Sequence, residues 1–325
     1  MEWVADNIRY FGGDPNKITI IGENAGAFSV GVHLLSPISR TLFQNVVMIS
    51  GSPLNYIIGE KPSHAKEKWL KAAEQLGCGK GEDFTEKIMK CLREKSSEDL
   101  SKTLLDLSRN PNTNNREEIT PQVVYGDAFL PEDPVTMLSN GDHKRNFNLL
   151  IGHTDDEGGY MLPMVDMERY SINNPKDITY DEAYNDLKKL TDKLISKKDI
   201  DSEKVAKTYY SSIASKDSGT LRRTIGVALG DFYITCPTIL FAKQLFKTDS
   251  EKAKVYHYYW SRKVSDTAVP CANWMGACHG TDSYMLFADP FINEKQYTEE
   301  ERNVSLNFIK TVSHFANYGS VLSND

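Results

Sequence analysis

Long apolar runs are missing from this sequence. No stretch approaches the ~18 uninterrupted apolar residues of a membrane-spanning helix, so no span is expected and the chain reads as soluble and globular. An excess of basic charge is missing too: 38 Lys and Arg stand against 45 Asp and Glu, a net charge of −7. With no basic stripe and no aromatic-basic interleaving, nucleic acid and anionic membranes are not expected as partners. Internal repeats, low-complexity tracts and domain linkers are absent. Residues 1–7 carry neither the basic nor the apolar region of a signal peptide. Cysteine is scarce, and the five present cannot all pair internally; the count leaves both buried thiols and disulfides open. Cys271, Cys278 and His279 lack the paired-ligand spacing of a zinc site, so no metal or other cofactor is expected. Gly77-Cys78-Gly79-Lys80-Gly81 follows no buried strand and precedes no Gly-Lys-Ser/Thr, which excludes a phosphate loop.

What is present is a chain of 325 residues, 40% apolar and 26% charged, long enough for one large α/β domain or two ordinary ones. Trp3, Val4, Ile8 and Phe11 recur at near-helical spacing before Gly12-Gly13-Asp14-Pro15 stops the helix. Lys17-Ile18-Thr19-Ile20-Ile21 reads as a strand buried on both faces of a parallel sheet, residues 27–35 as a helix, and Asn45-Val46-Val47-Met48-Ile49-Ser50 as a second buried strand. Strand, helix, strand implies a parallel crossover. Residues 63–76 and 85–93 read as helices and residues 108–118 as a surface loop. Asn148-Leu149-Leu150-Ile151-Gly152 and Val255-Tyr256-His257-Tyr258-Tyr259-Trp260 are further strands, separated by a mostly helical block over residues 180–246. The Lys- and Asp-rich face at residues 187–207 is expected to be solvated.

Chemistry is expected where the first strand meets its helix, at Gly22-Glu23-Asn24-Ala25-Gly26. A buried strand, a Gly-x-X-x-Gly turn and a small-residue helix make a nucleophile elbow, in which the central residue is held in a strained backbone state at the strand end. Side chains on the flanking glycines are expected to clash. A working elbow carries Ser, Cys or Asp; here the central residue is Asn24. A carboxamide gives up no proton to an imidazole near neutral pH and forms no acyl-enzyme. Asn does enter φ > 0 more readily than other non-glycine residues, so the turn is expected to survive.

Asn7-Ile8-Arg9-Tyr10-Phe11-Gly12-Gly13-Asp14-Pro15, followed by Ile20-Ile21-Gly22-Glu23-Asn24-Ala25-Gly26-Ala27, resembles the type-B carboxylesterase and cholinesterase family, which has Ser in place of Asn24. Ile49-Ser50-Gly51-Ser52-Pro53 is similar to the family's next marker, whose serine helps seat the catalytic acid. Gly152-His153-Thr154-Asp155-Asp156-Glu157-Gly158 resembles the segment carrying that acid, at Glu157. Trp274-Met275-Gly276-Ala277-Cys278-His279-Gly280 resembles the segment carrying the base, at His279. Nucleophile position, acid and histidine fall in the chain order of α/β-hydrolases, and groups on loops after different strands can meet at one sheet edge.

The resemblance implies an α/β-hydrolase fold, a mostly parallel central sheet flanked by helices, with residues 1–325 forming a partial domain truncated at both ends. The oxyanion hole would use the N–H of Ala25 together with a glycine-rich loop upstream of this chain, and Glu23 would support the site. Early strands of the family sheet would also lie upstream, leaving an unpaired apolar edge at the strand ending in Ile21. Residues 114–120, at the family's acyl pocket, contain no aromatic. A disulfide between Cys78 and Cys91 is implied, as is a half-cystine at Cys236 with a partner beyond residue 325; Cys271 and Cys278 could bridge or stay free. Asn303-Val304-Ser305 is a glycosylation sequon, and together these imply a secreted protein with its signal peptide upstream. The expected function is a carboxylic ester hydrolase domain impaired by Asn24, with small esters as substrates. The alternatives are a non-catalytic adhesion domain with a protein ligand, as in neuroligin-like relatives, and a lesioned fragment of an active secreted carboxylesterase.

Overall fold

The computed structural model describes residues 1–55, 59–81, 83–109, 122–194, 200–249, 251–265 and 271–321. Two compact units emerge, Met1–Asn55 with Met137–Asp325, and Tyr56–Thr136. Six strands are present among the described residues: β1 (Thr19–Glu23), β2 (Asn45–Ile49), β3 (Gly59–Glu60), β4 (Val123–Val124), β5 (Asn148–Thr154) and β6 (Lys254–Trp260).

In the first unit, β1, β2, β5 and β6 lie side by side in that order and all run parallel. Ile20, Val46, Leu149 and Val255 share one row across the sheet; Glu23, Ile49, Gly152 and Tyr258 share the row at its carboxyl end. Every residue of β2 is buried, as its unbroken Val-Val-Met-Ile run requires of a central parallel strand. β1 is an edge strand, paired on one side only among the described residues, as the resemblance implies; its residues are half-buried and Ile21 is 42% exposed, where the apolar pattern by itself predicts burial on both faces. The opening helix, Glu2–Asn7, continues as a 3₁₀ turn through Phe11 and stops at Gly12 (φ 82°), as the sequence predicts, yet none of its residues is buried.

The helix Ala25–Leu35 joins β1 to β2 and buries Ala27, Val30, Val32, Leu34 and Leu35. The helix Glu299–Tyr318, not anticipated from the sequence, starts at a capping box in which Thr298 and Glu301 exchange side-chain hydrogen bonds with each other's backbone. It buries Val312 and Phe315 against Val47, Ile49 and Leu150 of the central strands. The described residues of the block 180–246 are mostly helical, as expected. Its continuous stretch Ser218–Thr248 is the one helix among the described residues long and apolar enough to cross a membrane, but 61% of its most apolar window is buried inside the protein. It is a core helix, interrupted by a π turn over Asp231–Thr235.

The second unit contains the helices Pro62–Gln75, Glu86–Glu94 and Ser97–Arg109 and the short parallel pair β3–β4. Cys78 and Cys91 are disulfide-bonded (Cα–Cα 5.4 Å) and pack with Ala73 and Ile88. Lys68 Nζ pairs with Glu60 Oε2 at 2.7 Å, both side chains buried. The Gly77–Gly81 turn follows a helix, not a strand. The loop expected from residue 108 begins no earlier than the end of the helix at Arg109; residues 110–121, including the segment 114–120 expected at an acyl pocket, lie outside the described residues.

Candidate active site

Because four strands end in register, the residues that follow them gather at one edge of the sheet. β1 ends at Glu23 and a helix begins at Ala25, leaving Asn24 between them with φ 49° and ψ −114°. This positive φ is costly for a residue with a Cβ and persists only where the surroundings enforce it. Asn24 N donates to Ile49 O at 3.0 Å, and Asn24 O accepts from Phe28 N at 3.0 Å. Gly22 explains the turn's tightness, since a Cβ there would lie 2.2 Å from the backbone of Gly26. At Gly26, by contrast, a Cβ would meet nothing within 4 Å. The expected clash exists at the first glycine and not at the second, because Gly26 takes part through its backbone.

Glu157 follows β5 and is buried. Its Oε1 accepts from Thr154 N at 2.7 Å and its Oε2 from His279 Nδ1 at 2.5 Å. His279 is nearly buried, its Nε2 stands 3.2 Å from Glu23 Oε1, and its ring stacks on Tyr160 with centroids 4.6 Å apart. The Tyr160 hydroxyl in turn lies beside the Asn24 side chain. Asn24, Glu157 and His279 thus come together, with Glu23 beside them. Ser50 does not join: it is fully buried at φ 53°, and its Oγ makes no hydrogen bond among the described residues. Glu157 takes its hydrogen bonds from Thr154 and His279 instead, so a serine seating the acid through its hydroxyl is not what the structure contains.

The acid and histidine loops are tied to each other. Asp156 N donates to Ala277 O at 3.0 Å, and Ala277 N donates to Asp156 Oδ2 at 2.9 Å. Arg223 Nε reaches Asp156 Oδ1 at 2.5 Å, anchoring both loops to the core helix. Gly276 (φ 68°) allows this approach, since a Cβ there would lie 2.0 Å from Asp156 Oδ2. Gly158 packs so closely on the same helix that its Cβ would lie 2.1 Å from Gly226 O. Cys271 and Cys278, left open by the sequence, are disulfide-bonded (Cα–Cα 6.3 Å) and brace the histidine loop; Cys236 is free and exposed. Sequence reasoning missed Asp156, Tyr160, Arg223 and Asp282. The signals were an Asp-Asp-Glu run and an Arg-Arg pair inside an apolar helix.

Charge around the imidazole is lopsided. Burial opposes ionisation of His279, but the hydrogen bond and charge of Glu157, with Glu23 and Asp282 behind it, outweigh burial and raise its pKa. Glu23 is raised by burial and by Glu157, against the pull of His279. Asp282, buried and accepting from Tyr258 Oη at 2.7 Å, is pushed up to about 7 by burial and by Glu157. Among the described residues no group of three or more His, Cys, Asp or Glu is arranged to hold a metal ion.

Such a cluster can hold a proton on an imidazole beside a turn built for a nucleophile, and comparison with known proteins gives it a lineage. A sequence model of the Carboxylesterase family matches residues 1–324. The chain is 30% identical over 320 residues to acetylcholinesterase of Bungarus fasciatus, covering 98% of this chain and 50% of that protein. To acetylcholinesterase of Leptinotarsa decemlineata it is 28% identical over 334 residues, covering 100% and 50%. To acetylcholinesterase-1 of Trittame loki it is 30% identical over 326 residues, covering 97% and 55%. The chain therefore spans about half the length of the curated relatives it matches. With its elbow at Gly22–Gly26 and its acid and histidine after later strands of a parallel α/β sheet, the protein belongs to the carboxylesterase family.

Proposed function

We propose that the protein is a carboxylesterase-type domain whose acid–base pair, Glu157 and His279, is in place while its acyl-accepting group is not. The reading rests on one observation: the Glu157–His279 hydrogen bond of 2.5 Å stands beside an elbow occupied by a carboxamide. Small carboxylic esters are the ligands this site would take, held near the free N–H of Ala25, but no acyl-enzyme forms because Asn24 supplies no ionisable nucleophile. The dyad alone could at best activate water. Two disulfides and an exposed Asn303 in the sequon fit an oxidising, extracellular compartment. Residues 1–325 act as part of a single esterase-type domain in this reading.

The test is intact-mass detection of a phosphonate adduct. The protein with Asn24 is expected to remain unlabelled and to hydrolyse aryl esters no faster than its His279→Ala variant. Asn24→Ser, in a longer polypeptide that carries a glycine-rich oxyanion loop, is expected to acquire the adduct at position 24. Labelling of the Asn24 form at this turn would overturn the proposal.

A further inference from the structure

The elbow presses Asn24 against its own neighbour. Around the Cα–C bond of an L-residue, Cβ stands about 120° from the backbone nitrogen, so a ψ of −114° leaves the Ala25 nitrogen within about ten degrees of eclipsing Asn24 Cβ. The carboxamide carbon is one bond further out. Closing a five-membered ring between that carbon and Ala25 N requires this eclipsed arrangement, because Cβ, Cα, C and N are four of the ring's atoms. In helices and strands ψ lies at about −42° or +135°, and the following nitrogen is turned away. The Ala25 N–H is also unengaged: it is the first amide of the helix Ala25–Leu35 and donates no hydrogen bond among the described residues, as an orphan helix-end donor can. On the other side, the Tyr160 hydroxyl lies beside the carboxamide, and burial keeps it protonated.

We propose that Asn24 is a self-modifying position, converted through a succinimide to an aspartyl or isoaspartyl residue. Ala25 N bonds to Asn24 Cγ as its proton passes to solvent base. The Cγ–NH2 bond then breaks, and ammonia leaves with a proton returned by solvent. One water molecule opens the imide, at Cγ to give the aspartyl form or at the backbone carbonyl carbon to give the isoaspartyl form. The net change is carboxamide plus water to carboxylic acid plus ammonia. The aspartyl product places a carboxylate, a nucleophile a hydrolase elbow can use, beside Glu23 and His279; the isoaspartyl product lengthens the backbone and dismantles the turn. This chemistry needs only the Asn24 carboxamide and the backbone of residues 24 and 25, so it stands or falls separately from ester binding.

Asn140-Gly141 is the internal comparison, since glycine leaves the following nitrogen unhindered in a disordered chain. The full chain is incubated native and in urea at neutral and mildly alkaline pH, and peptides are mapped by mass with enzymatic methylation of isoaspartyl residues. Asn24 is expected to convert at least about tenfold faster in the native protein than in urea, giving both products, because the fold supplies the reactive geometry. In urea Asn140 is expected to be the faster site. Asn24→Gln lengthens the ring by one atom and is expected to be inert at this position. The proposal is overturned if native conversion at Asn24 is no faster than in urea, if the Gln variant converts as fast, or if only the aspartyl product forms, as direct hydrolysis would give.

Discussion

Three carboxylates, Glu23, Glu157 and Asp282, act on one imidazole, and they do not carry equal burdens. Each buried acid accepts two hydrogen bonds, Glu157 from Thr154 N and His279 Nδ1, Asp282 from Tyr258 Oη and Ser283 N, but burial and the charge of Glu157 push the Asp282 pKa from 3.8 to about 7. A raised acid binds its proton more tightly folded than unfolded, so the stability it provides in the protonated form is lost as pH rises from about 4 through about 7. Asp282→Asn keeps an acceptor for Tyr258 and never ionises. Relative to the unsubstituted protein, that variant is expected to gain thermal stability between pH 5 and pH 8, reduced by the support that the Asp282 charge no longer gives to protonated His279. Melting temperatures across this range are the measurement, and parallel curves for the two proteins would refute the assignment. Residue 24 shows a different economy. An elbow evolved to aim a side chain needs only the small Gly22 and a residue that tolerates φ > 0, and Asn meets both conditions without supplying the reaction.

At the scale of elements, the site is held by what ties loop to loop. The helix Ser218–Gly230 reaches the acid loop through Arg223 and Asp156, and Asp156 reaches the histidine loop through Ala277. Removing the buried Asp156 carboxylate strands the Ala277 N–H and part of the Arg223 charge, a loss of about 2 kcal/mol. Asp156→Ala is therefore expected to lower the melting temperature by several degrees. It should also weaken the low-field proton resonance of the His279–Glu157 hydrogen bond, and a variant of lowered stability with that resonance intact would show that the strap does not position the pair. In the second unit the bridge closes a separation of 13 residues, for which chain entropy gives about 3 kcal/mol. Unreduced peptide mapping is expected to recover Cys78 with Cys91 and Cys271 with Cys278, with Cys236 alkylated; Cys78 and Cys91 as free thiols would contradict this.

The same distinction explains what could be read in advance. Val46 to Ile49 and Leu149 to Ile151 declare buried parallel strands because nothing polar interrupts them, and Gly22-Glu23-Asn24-Ala25-Gly26 declares its turn because glycine spacing is a local property. The apolar pattern of β1 predicts a burial the strand does not have, because the count of neighbouring strands is not local; its open edge follows from the resemblance instead. Arg223 and Asp156 lie 67 residues apart and carry no periodic signal linking them. The helix Glu299–Tyr318 advertises its start locally, with Thr298 three residues before Glu301.

The whole molecule presents an uneven surface. β1 has its outer edge unpaired among the described residues, and Ile21 is 42% exposed upon it. Trp3 and Phe11, in the segment leading to that strand, are 61% and 72% exposed. A flat edge with apolar side chains is a template for another strand, and proteins that keep such edges in solution usually place a charge on them. β1 carries its only charge at Glu23, which faces His279 and is not available for that purpose. A polypeptide of residues 1–325 alone is therefore expected to self-associate in a concentration-dependent way, with the net charge of −7 opposing but not preventing it. Ile21→Lys puts a solvated charge on the exposed side chain of the edge without touching Glu157, His279 or Asn24, and is expected to raise the concentration at which association begins several-fold. Sedimentation velocity over a concentration series reads this directly. A monomer at every concentration would show that the edge is protected. Association unchanged by Ile21→Lys would move the sticky surface elsewhere, to the exposed Phe287, Phe291 and Ile292 that follow the histidine loop.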